Sequence, residues 1–282
     1  MSIKLDAVGK KTAPIKHKYA WKDVVLYALG VGAKADELDF LFELAGPKVL
    51  PTFAVVPSFG ALLSVTEALG ADLAMIVHGE QKAILHRPIP PSGELSTVAE
   101  IKGIYDKGKG AVALVEAKTV DEKNEPVFDN WFTVFVRGAG GFGGDRGPEP
   151  IKADPPEGKA PDFTVSEATT PEQALLYRLS GDLNPLHASP EFAKRGGFDR
   201  PILHGLCTYG HAGRAVLKHA CGGDPARLRS FAARFAGVVF PGETLTTMGW
   251  KVDPGKWVIQ TKTQDGRLVL SNALAETGET LR

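Results

Sequence analysis

Three residues within six positions have types that can do chemistry: Asp182, Asn184 and His187. They lie in the stretch 177–204, which opens Tyr-Arg-Leu-Ser-Gly-Asp-Leu-Asn-Pro-Leu-His and closes Phe-Asp-Arg-Pro-Ile-Leu-His. Gly181 before them and Pro185 between them rule out an ordinary helix face and predict a stiff, irregular loop. Asp182 and His187 form a close acid–base pair, able to take and give protons around one water. Asn184 does not titrate, so its expected part is to orient the pair or the water by hydrogen bonds. A metal site from Asp182, His187 and His204 is conceivable on paper. The spacing is irregular and no cysteine joins the set, so no metal is expected and His204 is read as structural.

The rest of the chain must position that loop. Its 282 residues suffice for one large domain or two ordinary ones, and 43% hydrophobic with 23% charged residues is a globular composition. Lys+Arg and Asp+Glu both number 33, which argues against a nucleic-acid binder held by bulk charge. Cys207 and Cys221 cannot form a disulfide framework and are expected as buried small apolar residues. No apolar run reaches the roughly 18 residues of a membrane span, and neither a signal peptide nor a C-terminal Ser-Lys-Leu is present. A soluble cytoplasmic protein without membrane or nucleic-acid partners is the expectation.

Apolar periodicity predicts helices over 19–29, 36–44 and 59–69, then strands over 74–86, 94–105, 110–119 and 127–137. A segment rich in glycine and proline follows and reads as a linker. Gly138, Gly140 and Gly143 there match the dinucleotide fingerprint, but Asp-Arg-Gly-Pro-Glu-Pro follows where a helix would be needed, so no nucleotide is expected. A helix over 170–179, capped by Thr169 or Thr170, leads into the focal loop, and a longer helix over 205–220 follows it. Strands are predicted over 229–240, 243–252, 256–263 and 268–275.

The two halves repeat one order: short helix, irregular stretch, longer helix, four strands. Tyr27-Ala-Leu-Gly parallels Tyr177-Arg-Leu-Ser, and Gly46 and Pro51 parallel Gly196 and Pro201, all 150 positions on. Gly93 parallels Gly242 at 149. An ancient duplication is implied, with repeats over 1–137 and 164–282 and a linker over 138–163. The repeat is also an internal control. At the same offset Asp182 falls on Gly32, Asn184 on Lys34 and His187 on Glu37. Groups needed only for structure should occur in both copies; groups found in one copy point to chemistry there.

These residues, from Tyr177 through Asp182, Asn184 and His187 to Phe198-Asp-Arg-Pro-Ile-Leu-His-Gly-Leu206, closely resemble the signature of the hydratase 2 (MaoC-like) family. The first half, with His78-Gly79-Glu80-Gln81 and the Gly-Gly-Phe-Gly-Gly linker, resembles the non-catalytic half of its two-repeat members. The resemblance implies an α+β double hot-dog fold: two curved antiparallel sheets, each wrapped around its long helix. It implies an enzyme that reversibly adds water to trans-2-enoyl-CoA, giving (3R)-3-hydroxyacyl-CoA in fatty acid metabolism. No cofactor beyond the CoA of the substrate is implied, and the family expectation is a homodimer.

Such a reaction needs a base to activate water at C3, an acid to protonate C2, and a sink for the enolate charge. The resemblance assigns Asp182 and His187 to the proton transfers; His187 as the base is the preferred division, which the sequence leaves open. Gly205 begins a helix, where N–H groups lack intrahelical partners and glycine lets an oxygen approach, so its N–H is the expected oxyanion donor. Carried over from the family, His78, Gly79 and Phe235 should contact the acyl-CoA, and Lys107 a CoA phosphate. The competing readings are a hot-dog thioesterase and a non-catalytic acyl-CoA-binding protein.

Overall fold

A computed structural model describes residues 3–72, 75–149 and 151–281. Among these residues ten strands form one antiparallel sheet ordered β1-β3-β4-β5-β2-β7-β10-β9-β8-β6. The first half contributes β1 (Ile15–Tyr19), β2 (Ile76–Leu85), β3 (Gly93–Asp106), β4 (Gly110–Val120) and β5 (Pro126–Arg137). The second contributes β6 (Phe163–Ala168), β7 (Leu228–Phe235), β8 (Thr244–Asp253), β9 (Lys256–Thr263) and β10 (Leu268–Thr277). Read from its centre, the order is the same on both sides, so a pseudo-twofold axis passes between β2 and β7. These two pair antiparallel from Glu80 opposite Arg234 to Ile84 opposite Ser230. This is the double hot-dog arrangement, and its symmetry matches the repeat read from the sequence.

Among the described residues each half therefore shows five strands, not four. The missed ones, β1 and β6, are short edge strands with alternating exposure, too brief for their period to stand out. Tyr19, predicted as helical, closes β1. The predicted start of the first strand at Ala74 lies outside the described residues. The strand predicted to run to Phe240 ends at Phe235. Beyond it Leu203 N–H bonds the Val239 carbonyl at 2.7 Å, so that stretch supports the focal loop rather than the ladder.

The helices are α1 (Trp21–Gly30), α2 (Leu38–Leu41), α3 (Val55–Glu67), α4 (Gln173–Tyr177), α5 (Pro190–Arg195) and α6 (Gly205–Ala220). Neither Thr169 nor Thr170 caps α4. The Thr169 hydroxyl instead donates to the Glu243 carbonyl at 2.8 Å. Helix α5 lies inside the stretch predicted to be irregular. Ser189 caps it by accepting from Phe192 N–H at 3.2 Å, and Pro190 fills its first position. Among the described residues no helix is long and apolar enough to cross a membrane.

Helix α6 is the axle of the molecule. Every residue from Leu206 to Leu217 is buried, because the second half's sheet covers one side and the first half's α1 and its following loop cover the other. Gly210 permits this contact: a Cβ there would come within 2.3 Å of Val31 Cγ1. Cys207 Sγ–H meets the Gly30 carbonyl at 3.3 Å, and Tyr209 O–H donates to the Phe231 carbonyl at 2.8 Å. The helix that begins at Gly205 is thus gripped by both repeats.

Among the described residues the glycine-rich segment after β5 carries no helix or strand, but it is tied down. The Asp106 carboxylate accepts from the N–H groups of Gly108, Gly141 and Gly143 at 2.7–2.8 Å. Those N–H groups, Gly141's first, hold its pKa below the ordinary carboxylate value.

Candidate active site

The focal loop is built locally. Helix α4 runs on into a 3-10 turn, Arg178–Ser180, which Gly181 ends at φ 122°. The Asn184 side chain accepts from Leu186 N–H at 3.0 Å and so caps a second 3-10 turn, Pro185–His187. Asn184's own N–H donates to the Asp182 carboxylate at 3.2 Å. It therefore holds Asp182 through its backbone, while its exposed amide shapes the turn.

His187 is buried, and its Nδ1–H donates to the Ile202 carbonyl at 2.9 Å. That bond fixes the neutral tautomer with Nε2 free to accept a proton. Burial holds the His187 pKa below the ordinary imidazole value, against the pull of Asp182. Burial also raises Asp182, against the opposing effects of His187 and of Asn184 N–H. Both residues are thus biased toward their neutral forms by removal from water.

His204, read from the sequence as structural, holds this pair. Its Nε2–H donates to the Asp182 backbone carbonyl at 3.1 Å. Its ring stacks on His187 at 3.6 Å between centroids, and Tyr177 packs on it at 4.9 Å. The ligand atoms of Asp182, His187 and His204 lie within 4.8 Å of one another. Tertiary structure therefore unites a set whose sequence spacing argued against metal binding. Stacked imidazoles nevertheless direct their in-plane lone pairs side by side rather than to one point, and each ring already spends one nitrogen on a backbone carbonyl. The geometry suits proton transfer better than chelation.

Arg178 was missed. Its guanidinium donates to the Leu183 carbonyl at 3.0 Å, strapping the loop, and its charge opposes protonation of His187. The signal was available, since the matching residue of the first repeat is Ala28.

Gly205 starts α6 directly after His204. The first intrahelical bonds run from Cys207 and Thr208 N–H to the His204 carbonyl, at 3.1 and 3.2 Å, so the Gly205 N–H lies ahead of them at the positive helix end. The Phe235 ring covers Gly205: a Cβ there would stand 3.0 Å from Phe235 Cδ1. His78 meets the same ring edge-on at 4.9 Å, and burial lowers its pKa to about 4. Gly79 is the extra residue of a bulge in β2, since His78 faces Val134 and Glu80 faces Thr133. The bulge bends β2 just where its pairing with β7 begins, which places His78 over Phe235. Gly205, Phe235, His78 and Gly79 thus form one cluster from both halves. Lys107 stands apart on the β3–β4 turn, with its ammonium on the Arg146 carbonyl.

Comparison with known proteins decides the lineage. Residues 17–138 match the MFE-2 hydratase 2 N-terminal domain, and residues 152–273 match the MaoC like domain. A probable enoyl-CoA hydratase 2 of Dictyostelium discoideum is 43% identical over 276 residues, covering 95% of this chain and 94% of that protein. The chain belongs to the hydratase 2 (MaoC-like) family. The peroxisomal multifunctional enzyme type 2 of Mus musculus is 41% identical across 96% of this chain and 38% of its own length. The crystal structure of a MaoC-like dehydratase from Phytophthora capsici superposes with a TM-score of 0.87 at 33% identity, covering 98% of both chains. Relatives bear the names of hydratases and dehydratases, so this is a family of hydro-lyases.

In this hydratase 2 chain the place in the first repeat that corresponds to the focal loop is filled. Gly32 stands where the second repeat has Asp182, and the His211 ring of α6 occupies the side-chain space: a Cβ on Gly32 would lie 2.3 Å from His211 Cε1. Glu37 stands where the second repeat has His187, and pairs with Arg214 of the same helix. Arg214 also binds Glu167 of β6 at 2.8 Å. At the corresponding positions of α3 stand Ala61 and Ser64, which are small.

Proposed function

We propose that this chain catalyses the reversible hydration of trans-2-enoyl-CoA to (3R)-3-hydroxyacyl-CoA. The observation that carries the reading is half-buried Asp182 beside buried His187, present in one repeat only and next to the N-terminus of α6. His187 Nε2 takes a proton from water as its oxygen bonds C3. The C2–C3 π electrons move toward the thioester oxygen, where the Gly205 N–H holds the negative charge. Asp182, its proton favoured by burial, delivers that proton to C2. Transfer of the proton from His187 to Asp182 restores the pair, and the net change is addition of one water.

In this reading His78, Gly79 and Phe235 contact the acyl-CoA where they border Gly205. For Lys107 to pair with a CoA phosphate, its ammonium must leave the Arg146 carbonyl. A homodimer in the cytoplasm completes the reading; light scattering and cell fractionation test those two points.

The deciding experiment is hydration of crotonyl-CoA and trans-2-decenoyl-CoA with chiral analysis of the product. The (3R) product is expected. Free CoA released instead would make the chain a thioesterase, and no turnover would leave an acyl-CoA-binding protein. Asp182→Asn and His187→Ala should each lower kcat by about 10²–10⁴; wild-type rates in both would refute the site assignment.

A further inference from the structure

Ser180 ends the 3-10 turn two residues before Asp182. Its hydroxyl oxygen is buried, and among the described residues nothing donates to it or accepts from it. Proteins seldom leave a buried hydroxyl unpaired, because it gives up its bonds to water on folding. Ser180 also lines a pocket of roughly 10 Å³ with Tyr177, Asp182, Leu206 and, from α3, Val55, Val56 and Phe59. That is about the space one water needs. The α3 wall is apolar, while Ser180 and Asp182 supply polar groups from the loop. The repeat gives an independent observation: Gly30 stands at the position matching Ser180, in the copy that also lacks Asp182 and His187. The hydroxyl and the acid–base pair are present together or absent together.

We propose that Ser180 is a further catalytic residue, whose hydroxyl hydrogen-bonds the oxygen that adds to C3. This rests on the hydratase reading. In the forward direction the partner is the attacking water, and in reverse it is the 3-hydroxyl of the substrate. The apolar wall of α3 faces the carbons beside C3, and the pairing fixes which face of the double bond the oxygen reaches. No bond to Ser180 forms or breaks, and its hydrogen bond is strongest as the oxygen changes charge in the transition state.

The test uses the full chain carrying Ser180→Ala, with Ser180→Gly as the second variant should the first fail to fold. The rate per folded molecule is measured below both melting temperatures, with crotonyl-CoA forward and (3R)-3-hydroxybutyryl-CoA in reverse. A fall in kcat of about tenfold, with KM within about threefold, is expected. The melting temperature should hold or rise, because the variant removes a buried hydroxyl that no protein group satisfies. A purely structural serine would do the opposite, lowering the melting temperature and sparing kcat. A kcat per folded molecule within twofold of wild type overturns the proposal. Absence of hydration by the wild-type chain would instead refute the hydratase reading itself.

Discussion

Replacing Arg214 by methionine should destabilise the protein by about 2–3 kcal/mol. The Arg214 side chain is 5% exposed, and its guanidinium binds Glu167 at 2.8 Å, Glu37, and the Val31 carbonyl at 3.2 Å. Burial pushes the Glu167 pKa up, but contact with His211 and the charge of Arg214 more than reverse this and hold it at about 2. A carboxyl with a pKa of about 2 rather than 4.5 contributes about 3 kcal/mol at neutral pH. Breaking a fully buried pair costs about 3–5 kcal/mol. Glu37 and Glu167 are 20% and 22% exposed, so water relieves part of the penalty once the cation is gone. Both routes lead to a drop in melting temperature of about 3–5 °C for a chain of 282 residues. Urea unfolding at several pH values is the assay. Because the folded pKa of Glu167 is depressed, its contribution is fully present above about pH 4.5 and is lost as pH falls toward 2. The gap between wild type and Arg214→Met should therefore be widest near pH 7 and narrow below pH 4.5. A gap under about 0.5 kcal/mol, within the range of ordinary surface substitutions, or one unchanged from pH 7 to pH 3, would show that the network is not a clamp.

Two further outcomes follow from the same geometry. Burial keeps His187 neutral to lower pH than a free imidazole, so the acid limb of kcat/KM against pH should have its midpoint below about 6.5; a midpoint at or above that value contradicts a base of this kind. Asp106→Ala frees the N–H groups of Gly108, Gly141 and Gly143, so trypsin should cut after Arg146 several-fold faster than in wild type, and equal cleavage rates would mean that the carboxylate does not anchor the segment.

Local chemistry made much of this legible. Helix α6 has the predicted bounds of 205–220 because its amphipathic pattern is long and it begins directly after the predicted loop. Strand β9 likewise runs over the predicted 256–263, between clear turns. The edge strands β1 and β6 were lost because five or six residues of alternation are few against the noise of composition. Helix α5 was overlooked although Ser189, Pro190 and the terminal Lys194 and Arg195 spell its start and stop.

The candidate site divides in the same way. Sequence alone determined that one repeat carries Asp182, Asn184 and His187 while the other has Gly32, Lys34 and Glu37, because duplication writes the comparison into a single chain. It could not determine which distant atoms share a space. The pairing of β2 with β7 brings His78 over Phe235 and Gly205. The return of the chain at 202–204 lays His204 on His187 and closes the Nδ1 bond to Ile202. Helix α6 sends His211 and Arg214 into the other repeat's loop. Those contacts span from 15 to more than 150 positions, and they are set by how one ten-stranded sheet closes around two helices. Residue types and local spacing say which groups can do chemistry; only packing in three dimensions decides which are stripped of water and held together.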